Sequence, residues 1–301
     1  MLEFKPITLE DKQWIDEIVA VENSRSADFN FGNIYIWNRR FKQLAARCGN
    51  RMVTKLRYEG SPAFAFPIGS GDLKSAVLAV KEFADFKNYP LRIYGVEKHN
   101  TQLLEELLPG KFSFRLLDGQ GDYIYRAEKL STYAGKALHG KKNHCNRFER
   151  EHPGWEFVPI TRSLVPDCLN MLDVWQEENA ERLEAGVADE HDAIVRAFAA
   201  YEKLGLEGGA LFADGRMIGF SLGEMCNSDC FDVHFEKADI SIDGAYTMVC
   251  RELVKMVMNN HPGLEYINRE EDMNIEGMRK SKESYKPEYI LEKYTAEWNN
   301  D

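Results

Sequence analysis

The stretch FKPIT at residues 4–8 recurs, with one substitution, as FVPIT at residues 157–161. An acidic segment follows the first copy, and in it Ile15, Ile18 and Val19 have the spacing of one face of a helix. An acidic, amphipathic segment also follows the second copy. Both copies therefore predict a short strand that leads into a helix.

Three further pairs of elements follow the repeated stretch in the same order in both halves of the chain. They are a hairpin that turns at an acidic residue and a glycine, a helix that leads through a proline to a short strand, and a last strand centred on Tyr-Ile. Their positions are Glu59-Gly60 and Asp214-Gly215, residues 73–86 and 246–258, and residues 121–130 and 287–298. Acidic-Gly pairs between alternating apolar residues are typical of tight hairpins. The shared order indicates a tandem duplication.

The repeated order predicts two similar domains of the α/β (α+β) class. Each half reads as strand, helix, two strands, helix and two strands, which predicts a mixed sheet flanked by helices. Each half thereby resembles the fold of the Gcn5-related N-acyltransferases (GNAT), which implies two tandem GNAT-like acyltransferase domains. We expect an N-terminal domain over residues 1–130, a linking basic helix over residues 131–155 and a C-terminal domain over residues 156–301.

The composition excludes several classes of protein. The 301 residues are 44% hydrophobic, which excludes global disorder, and 38 basic against 49 acidic residues give a net charge of −11. That balance excludes a generally basic surface for nucleic acid or anionic lipid. The first residues lack the pattern of a signal peptide, and no apolar run approaches the roughly 20 residues that cross a bilayer. We expect a cytoplasmic protein without a transmembrane segment, and the sequence leaves the oligomeric state open.

The motifs of several enzyme classes are missing from the sequence. There is no G-x-S-x-G elbow, P-loop, H-E-x-x-H pair or dinucleotide-binding glycine fingerprint, so hydrolase, NTPase and dehydrogenase functions lack their main support. Six scattered cysteines without a C-x-x-C pair predict neither a disulfide framework nor a metal site.

Glycines before the two long helices bear on the choice of donor. Acyl-CoA-dependent members of the GNAT fold carry a glycine-rich loop whose N–H groups face the pyrophosphate. The second half has only Gly244 at that place, whereas the first half has Gly69 and Gly71, followed by Asp72 at the helix start. The two glycines fit either a plain turn or a pyrophosphate site.

A basic segment lies between the two halves. It runs from residue 136 to 150, and its basic residues are opposed only by Glu149. They are Lys136, Lys141, Lys142, Arg147 and Arg150. The segment is either the solvated face of a helix or a phosphate-binding strip for a nucleotide or the acceptor end of a tRNA.

The densest set of polar residues follows a predicted strand near residue 266. Its candidate substrate-binding residues are Asn268, Arg269, Glu270, Asp272, Arg279 and Tyr285. Arg279 and Lys282 are three positions apart and could together hold a phosphate or carboxylate. The alternative is an ion-pair network that fastens the last helix to the sheet.

The strand before the second long helix carries three polar residues at alternate positions. Asp232, His234 and Glu236 share one face of the sheet if the strand is regular, and we take them as candidate catalytic residues. His234 is a possible general base, or a structural histidine. Tyr246, at the start of the following helix, is a candidate substrate-binding residue.

Four segments that span nearly the whole chain resemble the phosphatidylglycerol lysyltransferase C-terminal-like family. They are SADFNFGNIYIWNRRF at 26–41, GKKNHCNRFEREHPGWEF at 140–157, EKADISIDGAY at 236–246 and YINREEDMNIEGMRKSKESYKPEYILEKY at 266–294. The resemblance implies a tandem pair of acyltransferase-like domains. Relatives in that family move an aminoacyl group from aminoacyl-tRNA to a lipid, and Fem-type aminoacyltransferases share the architecture.

The resemblance also implies roles for two residues. A functional lysine of the family falls on Lys282, and an acidic position of the family falls near Asp232. The lipid-modifying members carry an arginine three positions after that acidic residue, where this chain has Phe235. This departure makes a small or peptidyl acceptor an alternative to a lipid.

Three functions are compatible with the sequence. The first is aminoacyl or acyl transfer to a small, peptidyl or lipid acceptor, with Lys282 and Arg279 holding the donor and no metal required. The second is N-acetyl transfer from acyl-CoA. The third is a non-catalytic binding module on the same fold.

Overall fold

A computed structural model describes residues 1–179 and 187–299. Its contacts form two compact units, Met1–Asp122 together with the segment from Leu291 onward, and Tyr123–Ile290. Each contains a mixed sheet with flanking helices, so the predicted α/β (α+β) class is confirmed. No helix in the described part of the chain is both long enough and apolar enough to cross a membrane.

The first unit is built on a sheet whose outer strands are short. Its strands are β1 (Lys5–Pro6), β2 (Leu44–Cys48), β3 (Arg51–Tyr58), β4 (Ser61–Ala65), β5 (Ile68–Gly69), β6 (Arg92–Glu97), β7 (Phe112–Leu116) and β15 (Lys293–Trp298). Its helices are α1 (Lys12–Glu22), α2 (Phe31–Ile36), α3 (Asn38–Phe41), α4 (Leu73–Phe86) and α5 (Lys98–Leu107). The strand order is β1-β2-β3-β4-β6-β15-β7, with β5 paired to β3, and β4 runs parallel to β6.

The second unit repeats this plan with additional helices. Its strands are β8 (Asp122–Arg126), β9 (Glu156–Pro159), β10 (Glu207–Ala213), β11 (Arg216–Met225), β12 (Cys230–Ala238), β13 (Tyr266–Asn268) and β14 (Tyr289–Leu291). Its helices are α6 (Ala127–Thr132), α7 (His139–Glu151), α8 (Val165–Asn179), α9 (Val187–Ala199), α10 (Tyr201–Leu204), α11 (Ala245–Asn260) and α12 (Glu276–Ser284). The strand order is β14-β8-β13-β12-β11-β10-β9, and β12 runs parallel to β13. A large apolar core joins this sheet to α6, α7 and α11.

Both predicted hairpins are confirmed. Glu59 and Gly60 connect β3 to β4, and Asp214 and Gly215 connect β10 to β11. All four residues have positive φ angles, from 50° to 78°. Positive φ at both central residues gives the turn a twist that matches the flanking strands, and glycine adopts it without steric cost.

Each sheet takes one inner strand from the other half of the sequence. β15 lies between β6 and β7 and pairs antiparallel with both, while β8 lies between β13 and β14. The two halves therefore exchange their last strands. In the first unit the exchanged strand is held by the buried Lys293, whose Nζ lies 2.9 Å from Asp122 Oδ1 and 3.0 Å from Asp28 Oδ1.

This exchange makes the grouping by contacts differ from the division at residues 130 and 155. The repeat assigns each last strand to its own half, because elements adjacent in sequence are usually adjacent in space. The contacts instead place α6 and α7 in the second unit, and the segment from Leu291 onward in the first.

Candidate functional site

The candidate site lies where the parallel strands β12 and β13 part. Among the described residues, they pair only over the first three residues of β12, ending with Asp232 opposite Asn268. β12 continues along β11 to Ala238, whereas the chain after β13 turns away, with Glu270 at a φ of 54°. Openings beside the carboxyl ends of parallel strands are common ligand sites in α/β proteins.

A β-bulge at His234 divides the polar residues of β12 between the two faces of the sheet. The pairing of β11 with β12 shifts by one residue there, so Asp232 lies opposite Glu224 and Glu236 lies opposite Ser221. Directly opposed residues share a face, and the two partners on β11 are three positions apart. Asp232 and Glu236 therefore face opposite sides of the sheet. The prediction that the three candidate catalytic residues share one face is wrong.

Different helices cover these two faces. Gly219 on β11 packs against α11, and Glu236 shares that face. The ring of Phe220, which points the other way, lies 5.6 Å from the ring of Phe198 on α9. Asp232 therefore faces the side that α8 and α9 cover, and the bulge creates two separate polar clusters.

His234 is the centre of the first cluster. Its side chain is fully buried, with Nε2 3.0 Å from Glu224 Oε1 and Nδ1 3.0 Å from Glu270 Oε1 and 3.5 Å from Asp232 Oδ2. Burial opposes a charge on the ring, but the three carboxylates outweigh it and raise the pKa of His234 well above its usual range. A ring that is held protonated donates from both nitrogens and is a poor general base.

The same cluster has the composition of a metal site. Asp232, His234 and Glu270 offer ligand atoms that all lie within 4.8 Å of one another. Glu224, which contacts Nε2 of His234, would hold the ring so that Nδ1 faces a metal, as carboxylates often do for metal-binding histidines. A proton on Nδ1 satisfies the same carboxylates, so the geometry is also complete without a metal.

Arg269 and Glu236 form the second cluster. Arg269 Nη2 donates to Glu236 Oε1 at 2.8 Å, and its guanidinium carbon lies 4.5 Å from the ring centroid of Tyr285. Lys141 Nζ lies 3.7 Å from the same centroid. Burial lowers the pKa of Lys141, and the charge of Arg269 lowers it further. Burial also opposes the charge of Arg269, but Glu236 outweighs this effect and the pKa of Arg269 is raised. These four residues, which the sequence places in three separate segments, meet on the α11 face.

Tyr246 lies at the start of α11, in contact with α8. Its hydroxyl accepts a hydrogen bond from Trp175 Nε1 at 3.1 Å, and burial raises its pKa to about 12. Lys237 Nζ lies 4.0 Å from a ring centroid of Trp175 and 2.9 Å from Glu190 Oε2. Trp175 and Glu190 are not among the site residues predicted from the sequence.

The loop after β13 is fastened by an ion pair. Arg279 donates to Asp272 from Nε at 2.8 Å and from Nη2 at 3.1 Å, and the Tyr123 hydroxyl donates to the same carboxylate at 2.7 Å. The buried Asn268 accepts from the backbone N–H of Glu270 at 2.6 Å. These contacts agree with the ion-pair network considered above, and substrate binding by Asp272 and Arg279 remains a prediction.

Lys282 supports the same loop from α12. Its Nζ donates to the backbone carbonyl oxygen of Arg269 and, at 3.3 Å, to that of Glu270. Lys282 thereby links the position of Arg269 to that of Glu270. Its geometry is that of a group that positions the loop between the two clusters.

The basic segment is divided between the outside and the inside of the unit. Lys141 turns inward to Tyr285, while Arg147 Nη1 pairs with Asp243 at 2.7 Å. Lys136 and Lys142 are exposed and form no ion pair with any described residue. The exposed part of the predicted strip is therefore smaller than the sequence suggests.

Neither glycine position has the open backbone N–H groups that a phosphate-binding loop needs. The N–H of Gly69 donates to Glu22 Oε1 at 2.6 Å, and Asp72 caps α4 by accepting from the following turn. A Cβ on Gly244 would lie 2.8 Å from the carbonyl oxygen of His144, so α7 covers the start of α11. Both glycines serve close packing.

Glu224 is a functional candidate that the sequence analysis misses. It is buried and contacts His234. The sequence signal is a single acidic residue near the end of the mostly apolar strand Arg216–Met225. A charged residue in a buried strand is costly unless it has a partner, which is the reason to single it out.

Comparisons with known proteins agree with this architecture. A conserved protein of unknown function from Bacteroides thetaiotaomicron has a solved structure with a TM-score of 0.95 and 36% identity, covering 99% of this chain and all of that one. The structure of L-PGS from Bacillus licheniformis gives a TM-score of 0.68 at 17% identity, covering 99% of this chain and 93% of that one. A tandem GNAT protein from the clavulanic acid biosynthesis pathway gives 0.52 at 14% identity, covering both chains completely. The predicted tandem GNAT-like fold is confirmed.

A curated relative matches a smaller part of the chain. It is an uncharacterised protein of Mycoplasmoides gallisepticum, 26% identical over 194 residues, which are 63% of this chain and 60% of that protein. The family model described as phosphatidylglycerol lysyltransferase, C-terminal, matches residues 20–297. The chain therefore belongs to the phosphatidylglycerol lysyltransferase C-terminal family.

Proposed function

We propose that this protein transfers an aminoacyl group from aminoacyl-tRNA to an amine or hydroxyl of a small, peptidyl or lipid acceptor. The family to which the chain belongs is named for a lysyl transfer, and this supports the class of reaction. The observation that carries the proposal is the Glu236–Arg269 pair beside the opening between β12 and β13. It places a carboxylate and a guanidinium next to each other on an inner face of the fold.

The chemistry needs few groups, because an aminoacyl ester is already activated. The acceptor nitrogen or oxygen bonds to the ester carbonyl carbon, the bond from that carbon to the ribose oxygen breaks, and the acceptor proton passes to the ribose oxygen. Glu236 takes this proton from the acceptor and returns it to the leaving oxygen. Arg269 stabilises the oxyanion that forms on the carbonyl oxygen, an effect worth roughly 3 kcal/mol for one donor.

His234 and Lys282 act in this proposal as positioning residues. Lys282 donates to the backbone carbonyl oxygens of Arg269 and Glu270, and His234 contacts the Glu270 carboxylate. Their contacts fix the loop from which the Arg269 side chain extends. The proposed base is therefore Glu236, and His234 supports the site without exchanging the proton.

Aminoacyl-tRNA is a better candidate for the donor than acyl-CoA. Lys136 and Lys142 are exposed cations near α7, the helix that also carries Lys141 to the second cluster. The Gly69 N–H, which a pyrophosphate would need, is taken by the carboxylate of Glu22. A carboxylate at that place repels phosphate.

The test compares both donors directly. The purified chain is incubated with total tRNA charged with 14C-labelled amino acids or with 14C-acetyl-CoA, in the presence of glycine, glycylglycine or phosphatidylglycerol vesicles. We expect labelled product from charged tRNA alone, and its loss in Glu236→Gln but not in the exposed Glu202→Gln. Product from acetyl-CoA alone would replace the proposal with N-acetyl transfer. No product from either donor would favour the non-catalytic binding module.

A further inference from the structure

Two cations share one tyrosine ring in the second cluster. The Arg269 guanidinium carbon lies 4.5 Å and Lys141 Nζ 3.7 Å from the centroid of the Tyr285 ring, which is itself buried. A ring face attracts each cation, but two like charges at close range repel each other. This arrangement is costly unless an anion is available to both.

The charges of the cluster do not balance. Glu236 pairs with Arg269 through Nη2, whereas Nη1 of the same guanidinium is buried and has no hydrogen-bond partner among the described residues. Lys141 forms no ion pair with any carboxylate of the described residues. One unneutralised ammonium and one unused guanidinium N–H therefore contact the same ring, and the charge of Arg269 lowers the pKa of Lys141 after burial does. A buried donor such as Nη1 is normally satisfied.

We propose that Lys141 and Nη1 of Arg269 bind a carboxylate of the acceptor. The acceptor in the transfer proposed above, on which this inference rests, is then an amine that carries a carboxylate, as in a free amino acid or a short peptide. The Lys141 ammonium supplies the charge and the guanidinium edge supplies a directed hydrogen bond.

A carboxylate fits this place better than a nucleic-acid phosphate does. With Glu236 offsetting Arg269, the net charge of +1 matches a compact monoanion. The pair lies inside the unit beneath α7, whereas the cations that suit an extended phosphate backbone are the exposed Lys136 and Lys142. Lys141 is half-buried, so its ammonium on a long flexible side chain can reach a small ligand.

The same guanidinium connects the carboxylate site to the proposed base. Arg269 offers Nη1 to the ligand and Nη2 to Glu236, and these two nitrogens belong to one planar group. An acceptor whose carboxylate is on Nη1 has its amine beside the Glu236 carboxylate. One arginine thereby positions both the carboxylate of the acceptor and the base that removes its proton.

Binding is measured without turnover, by titrating the 15N-labelled full chain with glycine, acetate, ethylamine and AMP and following amide shifts of α7 and of the loop after β13. We expect saturable binding of glycine, weaker binding of acetate and none of ethylamine. Lys141→Met should weaken glycine binding at least ten-fold, while Lys203→Met, an exposed lysine on α10, leaves it unchanged. Glu236→Gln should remove the preference for glycine over acetate.

Three outcomes overturn the carboxylate site. They are equal binding of glycine and ethylamine, no saturable binding of glycine, and binding of AMP in preference to glycine with the same dependence on Lys141. Arg269→Lys keeps the charge but removes Nη1, and circular dichroism checks that the variant folds. A folded variant that still binds glycine with wild-type affinity also rejects the proposal. Because the titration needs no donor, aminoacyl transfer to another acceptor without glycine binding would reject this site and leave the proposed function standing. Glycine binding without any aminoacyl transfer would support this site and reject the proposed function.

Discussion

Asp232 and Glu236 lie four residues apart on β12, yet they face opposite sides of the sheet, because His234 is an extra residue in the pairing with β11. A regular strand would place them on the same side. The bulge assigns Asp232 to the buried histidine cluster and leaves Glu236 to pair with Arg269. Bulges often re-aim side chains near functional sites, and this one separates a positioning cluster from the proposed base.

The bulge depends on the glycine opposite it. A Cβ on Gly223 would overlap the carbonyl oxygen of Asp232, so Gly223→Ala should destabilise the protein by about 2 kcal/mol. The measurement is urea denaturation followed by circular dichroism. Gly277→Ala is the control, because a Cβ there meets nothing within 4 Å and alanine favours the helix, so its stability should equal or exceed that of the wild type. Equal stability of the two variants would show that the strand does not pack as described.

The protonation of His234 gives a prediction with a definite sign. Three carboxylates raise the pKa of His234 in the folded state, so its ring should remain protonated at pH 7 in the presence of a chelator. Its contribution to stability is complete below the unfolded pKa of about 6.5 and is lost as the pH rises through the folded pKa. Ring 15N chemical shifts report the protonation state directly. A neutral ring at pH 7 would contradict the geometry of the cluster.

The Asp272–Arg279 contact should stabilise the loop that positions Arg269. It combines two hydrogen bonds from a guanidinium to a buried carboxylate, so Arg279→Met should lower the free energy of unfolding by about 1.5 kcal/mol. Lys280→Met is the matched control, because Lys280 pairs with Glu276 on the exposed side of α12 and should contribute about 0.4 kcal/mol. Equal losses in the two variants would reject the fastening role.

The exchanged strand β15 predicts a large effect at a residue remote in sequence from its partners. Lys293→Met removes the cation from the buried carboxylate of Asp122, and breaking a buried pair in this way costs about 3 kcal/mol. Lys5→Met, at an exposed ion pair, should change stability by less than about 1 kcal/mol. Thermal denaturation compares the two. A small loss for Lys293→Met would indicate that β15 does not lie between β6 and β7.

The repeated elements could be predicted from the sequence because their signals are local. The turns at Glu59-Gly60 and Asp214-Gly215 depend on backbone angles that the residues themselves favour, and both are present. The exchange of β8 and β15 could not be predicted, because it depends on pairing between strands that lie far apart in the sequence, such as Tyr266 with Arg126. Sequence order alone favours pairing each strand within its own half.

The sequence identifies several residues of the candidate site but does not show which of them lie together in space. Arg269, Glu236, Lys141 and Tyr285 are all among the predicted site residues, yet their meeting on one face depends on the bulge and on the packing of α7 against α11. A bulge leaves little trace in the sequence beyond a glycine at the opposing position. For the same reason the pairing of Glu224 with His234 becomes visible only in three dimensions.

The most direct test of the proposed function is the initial rate of aminoacyl transfer from 14C-labelled charged tRNA to glycine. We expect Glu236→Gln to lower this rate about 10²-fold and Arg269→Lys about 10-fold, with Glu202→Gln at the wild-type rate. Wild-type rates in both Glu236→Gln and Arg269→Lys would rule out the proposed site, because transfer would then proceed without the Glu236–Arg269 pair.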